Sequence, residues 1–137
     1  MSPAPRVRQL RLVVTADDFE AALAFYRDAL GMPEAESVSS PGGRIAILDA
    51  GRATLEITDL PHAEYIDEVE VGRRVAGHIR VALEVEDSTA ATEAAEGAGA
   101  AVLAPPTVTP WNSLNSRLEG PAGLQLTLFQ ELSGAGG

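Results

Sequence analysis

Near the N-terminus Leu10, Leu12 and Val14 alternate with Gln9, Arg11 and Val13, a period of two that predicts a strand packed on one face. A helix is expected next. Asp17 or Asp18 caps it and Glu20 stands in its first turn. Phe19, Ala22, Leu23, Phe25, Tyr26, Ala29 and Leu30 then recur at helical spacing until Gly31 and Pro33 stop them. That spacing assigns Phe25 and Tyr26 to the core between helix and sheet. Three shorter strands are predicted over residues 35–39, 44–48 and 53–58, separated by the Pro41-Gly42-Gly43 and Ala50-Gly51 turns.

The opening recurs later in the chain. Arg80 to Val85 alternates, Glu86-Asp87 supplies a cap, and an alanine-rich helix is expected over 88–98, ended by Gly97 and Gly99. Strands over 101–103, 112–118 and 124–129 complete the set. Arg80 and Asp87 each stand 69 positions after their counterparts Arg11 and Asp18, so the order strand, helix, three strands reads as an internal duplication. The expected organisation is a first module over 1–59, a connector over 60–77, a second module over 78–132 and a flexible tail over 133–137. The connector is acidic, with Glu64, Asp67, Glu68 and Glu70, and ends on Arg73-Arg74. His62 is expected to be an exposed loop residue there, and Tyr65 to line the mouth of any pocket.

The chain has 137 residues, 45% hydrophobic and 22% charged, enough for a real core and too apolar for disorder. Twenty acidic against 10 basic residues give a formal charge of −10, which argues against nucleic acid as a partner. No cysteine is present, which excludes disulfides, thiolate nucleophiles and cysteine metal sites. Lysine is absent too, so Schiff-base chemistry is excluded and every cation is an arginine suited to planar, bidentate contacts. No signal-peptide core follows the first ten residues and no stretch reaches membrane-spanning length; a cytoplasmic location is expected. Nucleophile-elbow, zinc-protease and phosphate-loop motifs are missing, and Asp17-Asp18 and Glu86-Asp87 are explained by helix capping.

Val14 through Gly31, read as VTADDFEAALAFYRDALG, resembles the opening of the vicinal-oxygen-chelate superfamily, which groups glyoxalases, bleomycin-resistance proteins and dioxygenases. The second half, IRVALEVEDSTAATEAAEGAGAAVLAPP and TPWNSLNSRLEGPAGLQLTLFQ, is similar to that superfamily's second module. The resemblance implies an α+β fold: two βαβββ modules form curved mixed sheets around a cup, with helices on the outer face, often completed by a second subunit. In metal-dependent relatives the ligands come from the first and last strand of each module. Those positions fall here on Arg11, Glu56, Arg80 and Thr127. Of these only Glu56 can ligate a metal, because a guanidinium stays protonated and has no lone pair. No metal and no cofactor are therefore expected, apart from a displaced pair of Glu56 with His78, which stands two residues before Arg80 and so on the same strand face.

By alternation Gln9, Val13, Thr54, Thr58, His78, Ala82, Gln125, Thr127 and Phe129 face the cup, while Leu55, Ile57, Val81, Leu83, Leu124, Leu126 and Leu128 pack beneath the helices. Arg11, Glu56, His78, Arg80, Trp111, Asn112, Thr127 and Phe129 form the candidate ligand-binding set. For Arg11, Glu56 and Arg80 a purely structural ion cluster is the alternative. Trp111 is expected mainly to pack, with stacking on an aromatic ligand as its other role, worth ~0.5–1.5 kcal/mol beyond area burial. The resemblance implies a homodimer that captures a bulky, partly aromatic antibiotic or natural product without converting it, and the acidic exterior would favour cationic drugs. The alternative is a lyase, isomerase or dioxygenase with Glu56 as base and an arginine in place of the metal.

Overall fold

In the computed structural model the N-terminal alternation forms β1 (Gln9–Thr15), and Asp18 caps the helix behind it by accepting from the Ala21 amide at 2.9 Å. The structure describes residues 5–29, 31–39, 42–121 and 124–132; Leu30, Pro41 and the expected tail over 133–137 lie outside them. After α1 (Phe19–Leu23) come β2 (Glu34–Ser39), β3 (Arg44–Asp49), β4 (Thr54–Thr58), α2 (Leu60–Glu70), β5 (Ile79–Glu84), α3 (Ser88–Gly97), β6 (Ala101–Val108), β7 (Ser113–Glu119) and β8 (Gln125–Glu131). The fold is α+β, built of two βαβββ modules.

Two compact units are distinguished: Arg11–Arg80, and the stretch from Val81 onward together with the N-terminal residues up to Leu10. In the first the strand order is β2-β3-β4-β1, with β1 and β4 parallel and the other pairs antiparallel. A parallel pair needs a crossover, and α1 with its neighbours supplies it. Phe19 and Leu23 pack with Ala46, Leu48 and Ile57 to form that unit's core. In the second unit the order is β5-β8-β7-β6, again with the first and last strands of the module parallel. Val85, Ala91, Leu118 and Leu128 form its core, and Asp87 caps α3 through the Ala90 amide at 3.0 Å.

Four expectations are corrected. Helix α1 gives way after Leu23 to a π-helical stretch, Ala24–Ala29, which leaves Phe25 54% and Tyr26 36% exposed instead of in the core. A turn closed by i→i+5 bonds is wider than an α-turn, so the 3.6-residue count loses register there. The two rings pack edge to face on each other, centroids 4.9 Å apart. Leu124 precedes β8 and is largely exposed. Trp111 is also substantially exposed: it sits at the β6–β7 reversal beside Asn112, whose φ of 64° turns the chain and leaves the indole at the tip. Finally, the connector carries a helix, and His62 is buried on it.

That helix escapes hydrophobic patterning because its buried residues, His62, Ala63, Ile66, Asp67 and Glu70, follow helical spacing but are mostly polar. Asp59 caps it, accepting from the amides of His62 and Arg44, both at 3.0 Å. Gly43 lies under this cap. A Cβ there would meet Asp59 Oδ1 at 2.1 Å and the His62 nitrogen at 2.5 Å. Gly43→Ala is accordingly expected to cost about 1–3 kcal/mol by urea unfolding, the range for forced overpacking.

Candidate functional site

Register fixes which side chains of the first unit share a face. Arg11 stands opposite Thr54, Val13 opposite Glu56 and Thr15 opposite Thr58 in the β1–β4 ladder. Leu55 and Ile57, which alternate with these β4 residues, belong with the α1 core, so Arg11, Val13, Thr15, Thr54, Glu56 and Thr58 lie on the face away from α1. The connector helix covers one end of that face. Ala63, Ile66 and Asp67 join Val13, Thr15, Thr58, Ala76, Gly77 and Arg80 around a small recess. The Thr58 hydroxyl donates to the Thr15 hydroxyl within it, at 3.4 Å.

Glu56 is the electrostatic centre of the face. It is 7% exposed, and its Oε2 lies 3.4 Å from Arg11 Nη1, an ion pair without hydrogen-bond geometry. Burial pushes its carboxyl above the ordinary value, opposed by the Arg11 and Arg80 guanidiniums and reinforced slightly by Glu36. His62 is shifted the other way: burial lowers it, Asp59 opposes, and Arg80 adds to the lowering. Burial thus shifts both groups toward their neutral forms. Beneath the recess Asp67 is 1% exposed, and its Oδ2 accepts from Arg74 Nη1 at 2.6 Å and from the Val75 and Ala76 amides at 2.9 Å each. These bonds fix the segment that leads into β5 and Arg80.

The structure thus brings Arg11, Glu56 and Arg80 together in one unit. His78 is exposed in the bend before β5 and not on the strand; its carbonyl accepts from the Thr15 amide at 2.9 Å. A metal ion, which the fold family's metal-dependent members would hold here, does not suit this donor set, since Arg11 and Arg80 present only N–H groups around Glu56. Among the described residues no group of three or more His, Cys, Asp or Glu side chains is placed to hold an ion.

The remaining candidates belong to the second unit. Thr127 and Phe129 are buried on β8, opposite Arg117 and Asn115 of β7, whereas Trp111 and Asn112 occupy the β6–β7 turn. Sequence reasoning passed over Arg117, which is completely buried and donates from Nη1 to Gln125 Oε1 at 2.8 Å; Gln125 Nε2 donates on to Glu119 Oε1 at 3.0 Å. Alternation along β7 could have found it, since Ser113, Asn115 and Arg117 share one face. His62 and Asp67 gave no comparable signal, because the helix that buries them lacks an apolar stripe.

The sequence model of the Glyoxalase/Bleomycin resistance protein/Dioxygenase superfamily matches residues 8–128. No curated protein matches the chain. Among solved structures, a hypothetical protein from Bacillus halodurans C-125 is similar with a TM-score of 0.68 at 15% identity, covering 93% of this chain and 95% of that one. Methylmalonyl-CoA epimerase from Mycobacterium tuberculosis follows with a TM-score of 0.64 at 18% identity, covering 95% and 90%. A Streptomyces coelicolor methylmalonyl-CoA epimerase variant, in complex with 2-nitronate-propionyl-CoA, gives 0.62 at 20% identity, covering 96% and 97%. At these identities the likeness is one of fold. No helix among the described residues is long and apolar enough to cross a membrane.

Proposed function

The chain belongs to the Glyoxalase/Bleomycin resistance protein/Dioxygenase superfamily, and on that premise we propose that it captures a small organic molecule, a drug or natural product, and holds it unchanged. One observation carries this reading: Glu56 Oε2 is buried, 3.4 Å from Arg11 Nη1 and under the charge of Arg80, and has no hydrogen-bond partner among the described residues. A buried polar atom left unsatisfied costs about 1–3 kcal/mol, which a bound ligand's donor would recover. Where relatives place a Lewis acid, guanidiniums supply hydrogen bonds and charge but no coordination site. The acceptor is the Glu56 carboxyl and the donors come from Arg11 beside it. The working form under this reading is a cytoplasmic homodimer.

Calorimetric titration with bleomycin and with polycyclic aromatic antibiotics tests the proposal. Saturable binding of one ligand per chain is expected, the ligand is recovered with unchanged mass, and Glu56→Gln weakens binding about tenfold through loss of a charge-assisted bond. Heats that never saturate across the panel would remove the capture reading.

A second reading rests on the burial of Glu56 and the consequent rise of its carboxyl. A carboxylate so placed can take a proton from carbon beside a carbonyl, with Arg11 or Arg80 stabilising the enolate oxygen. Incubation with methylmalonyl-CoA in deuterium oxide distinguishes the two. Deuterium entering the acidic C–H position in a Glu56-dependent manner supports lyase or isomerase chemistry, and an unlabelled substrate speaks for capture.

A further inference from the structure

Two polar atoms on β4, Thr54 Oγ1 and Glu56 Oε2, are buried without a hydrogen-bond partner. Two residues apart in a strand, they project from the same face, and Arg11 stands opposite Thr54 at their edge with its side chain 28% exposed. Buried polar groups are nearly always satisfied, so a pair of orphans side by side calls for one molecule that serves both. Resting on the capture reading above, we propose that Thr54 and Glu56 together recognise the neutral edge of a cis-amide, as in a lactam ring. Its N–H donates to Glu56 Oε2 and its carbonyl accepts from the Thr54 hydroxyl.

The charge balance selects a neutral group. Arg11 and Arg80 both act on Glu56, whereas the one further carboxylate felt there, Glu36, belongs to β2, all of whose residues are exposed, and is screened. An ammonium would meet two guanidiniums in a partly desolvated place. Burial disfavours the charged forms of both His62 and Glu56 on this part of the unit, so any ion brought in carries the same penalty. A ligand carboxylate fails for another reason: it has no donor for an ionised Glu56, and beside a protonated one it would itself be the desolvated anion. A ketone likewise has no donor for the ionised form and can serve only the protonated one. A lactam, by contrast, suits either state of Glu56. Ionised, the carboxylate accepts the N–H; protonated, it accepts the N–H on its carbonyl oxygen and donates its own O–H to the lactam carbonyl, closing a cyclic pair.

Three five-membered rings of matched size separate these possibilities: 2-pyrrolidinone has donor and acceptor, pyrrolidinium has charge and donor, and cyclopentanone has the acceptor alone. Each is titrated at millimolar concentration into isotopically labelled protein, with the amide resonances of Thr54 and Glu56 as the readout. The lactam is expected to shift both resonances and to bind about tenfold tighter than either isostere, the difference a correctly paired buried group makes. Thr54→Val, which deletes the hydroxyl at nearly constant volume, should bring the lactam down by about the same factor. If pyrrolidinium or cyclopentanone shifts these resonances at equal or lower concentration, the face still captures small molecules but the lactam assignment is overturned. If no ring shifts either resonance, both the assignment and capture at this face are overturned.

Discussion

Asp67→Ala is expected to lower the unfolding free energy by about 2–4 kcal/mol, because a buried carboxylate is removed from three donors at once. Two of them are the Val75 and Ala76 amides, which no rotamer change can redirect, and the third is Arg74, whose side chain is 36% exposed. Water can replace the carboxylate at the arginine more easily than at the amides. Arg74→Ala should therefore cost only about 1 kcal/mol or less, the scale of a partly exposed ion pair. Urea unfolding of both variants checks the ranking. Equal losses would mean that the ion pair, and not the two backbone bonds, anchors the segment leading into Arg80.

The second large effect is a pH dependence centred on Glu56. Its carboxyl is raised in the folded protein, so the native state binds this proton more tightly than the unfolded chain does. The sign follows: Glu56 imposes no penalty below its unfolded value near 4.5, a growing one as pH climbs toward the folded value, and the full penalty above that. Gln mimics the protonated carboxyl, and the raised value already includes the attraction of Arg11 and Arg80. Glu56→Gln is thus expected to be more stable than the parent at neutral pH, with the advantage vanishing toward pH 4. Denaturation series across that window supply the test. A variant less stable than the parent at pH 7.5 would mean that the guanidiniums outweigh desolvation.

Much of this architecture can be read from the chain where side-chain identity and burial agree. The caps Asp18 and Asp87 and the Leu55–Ile57 alternation on β4 are examples, since each obeys a local rule that the packed structure leaves in force. That Arg11 and Glu56 share a face was legible for the same reason. Legibility fails where one of the two is altered. In the 24–29 stretch the residues are apolar at helical spacing, yet the wider turn carries Phe25 out to solvent. In α2 the geometry is regular but the buried face holds His62, Asp67 and Glu70, so a periodicity of hydrophobicity cannot report it. Asp59 followed by Pro61 marks its start on inspection. Arg117 is a third kind of miss: arginine is so seldom fully buried that composition argues against the position that strand alternation gives it.

The N-terminal stretch up to Leu10 is grouped with the unit that otherwise begins at Val81, and Arg8 is held there by the Glu84 carbonyl at 2.8 Å and by an ion pair with Glu86. The repeat in sequence is consequently not a repeat in autonomy. A gene cut after Arg80 would produce one fragment carrying a segment that groups with the other and a second fragment lacking it, so the unit that begins at Val81 also draws on residues encoded at the start of the chain.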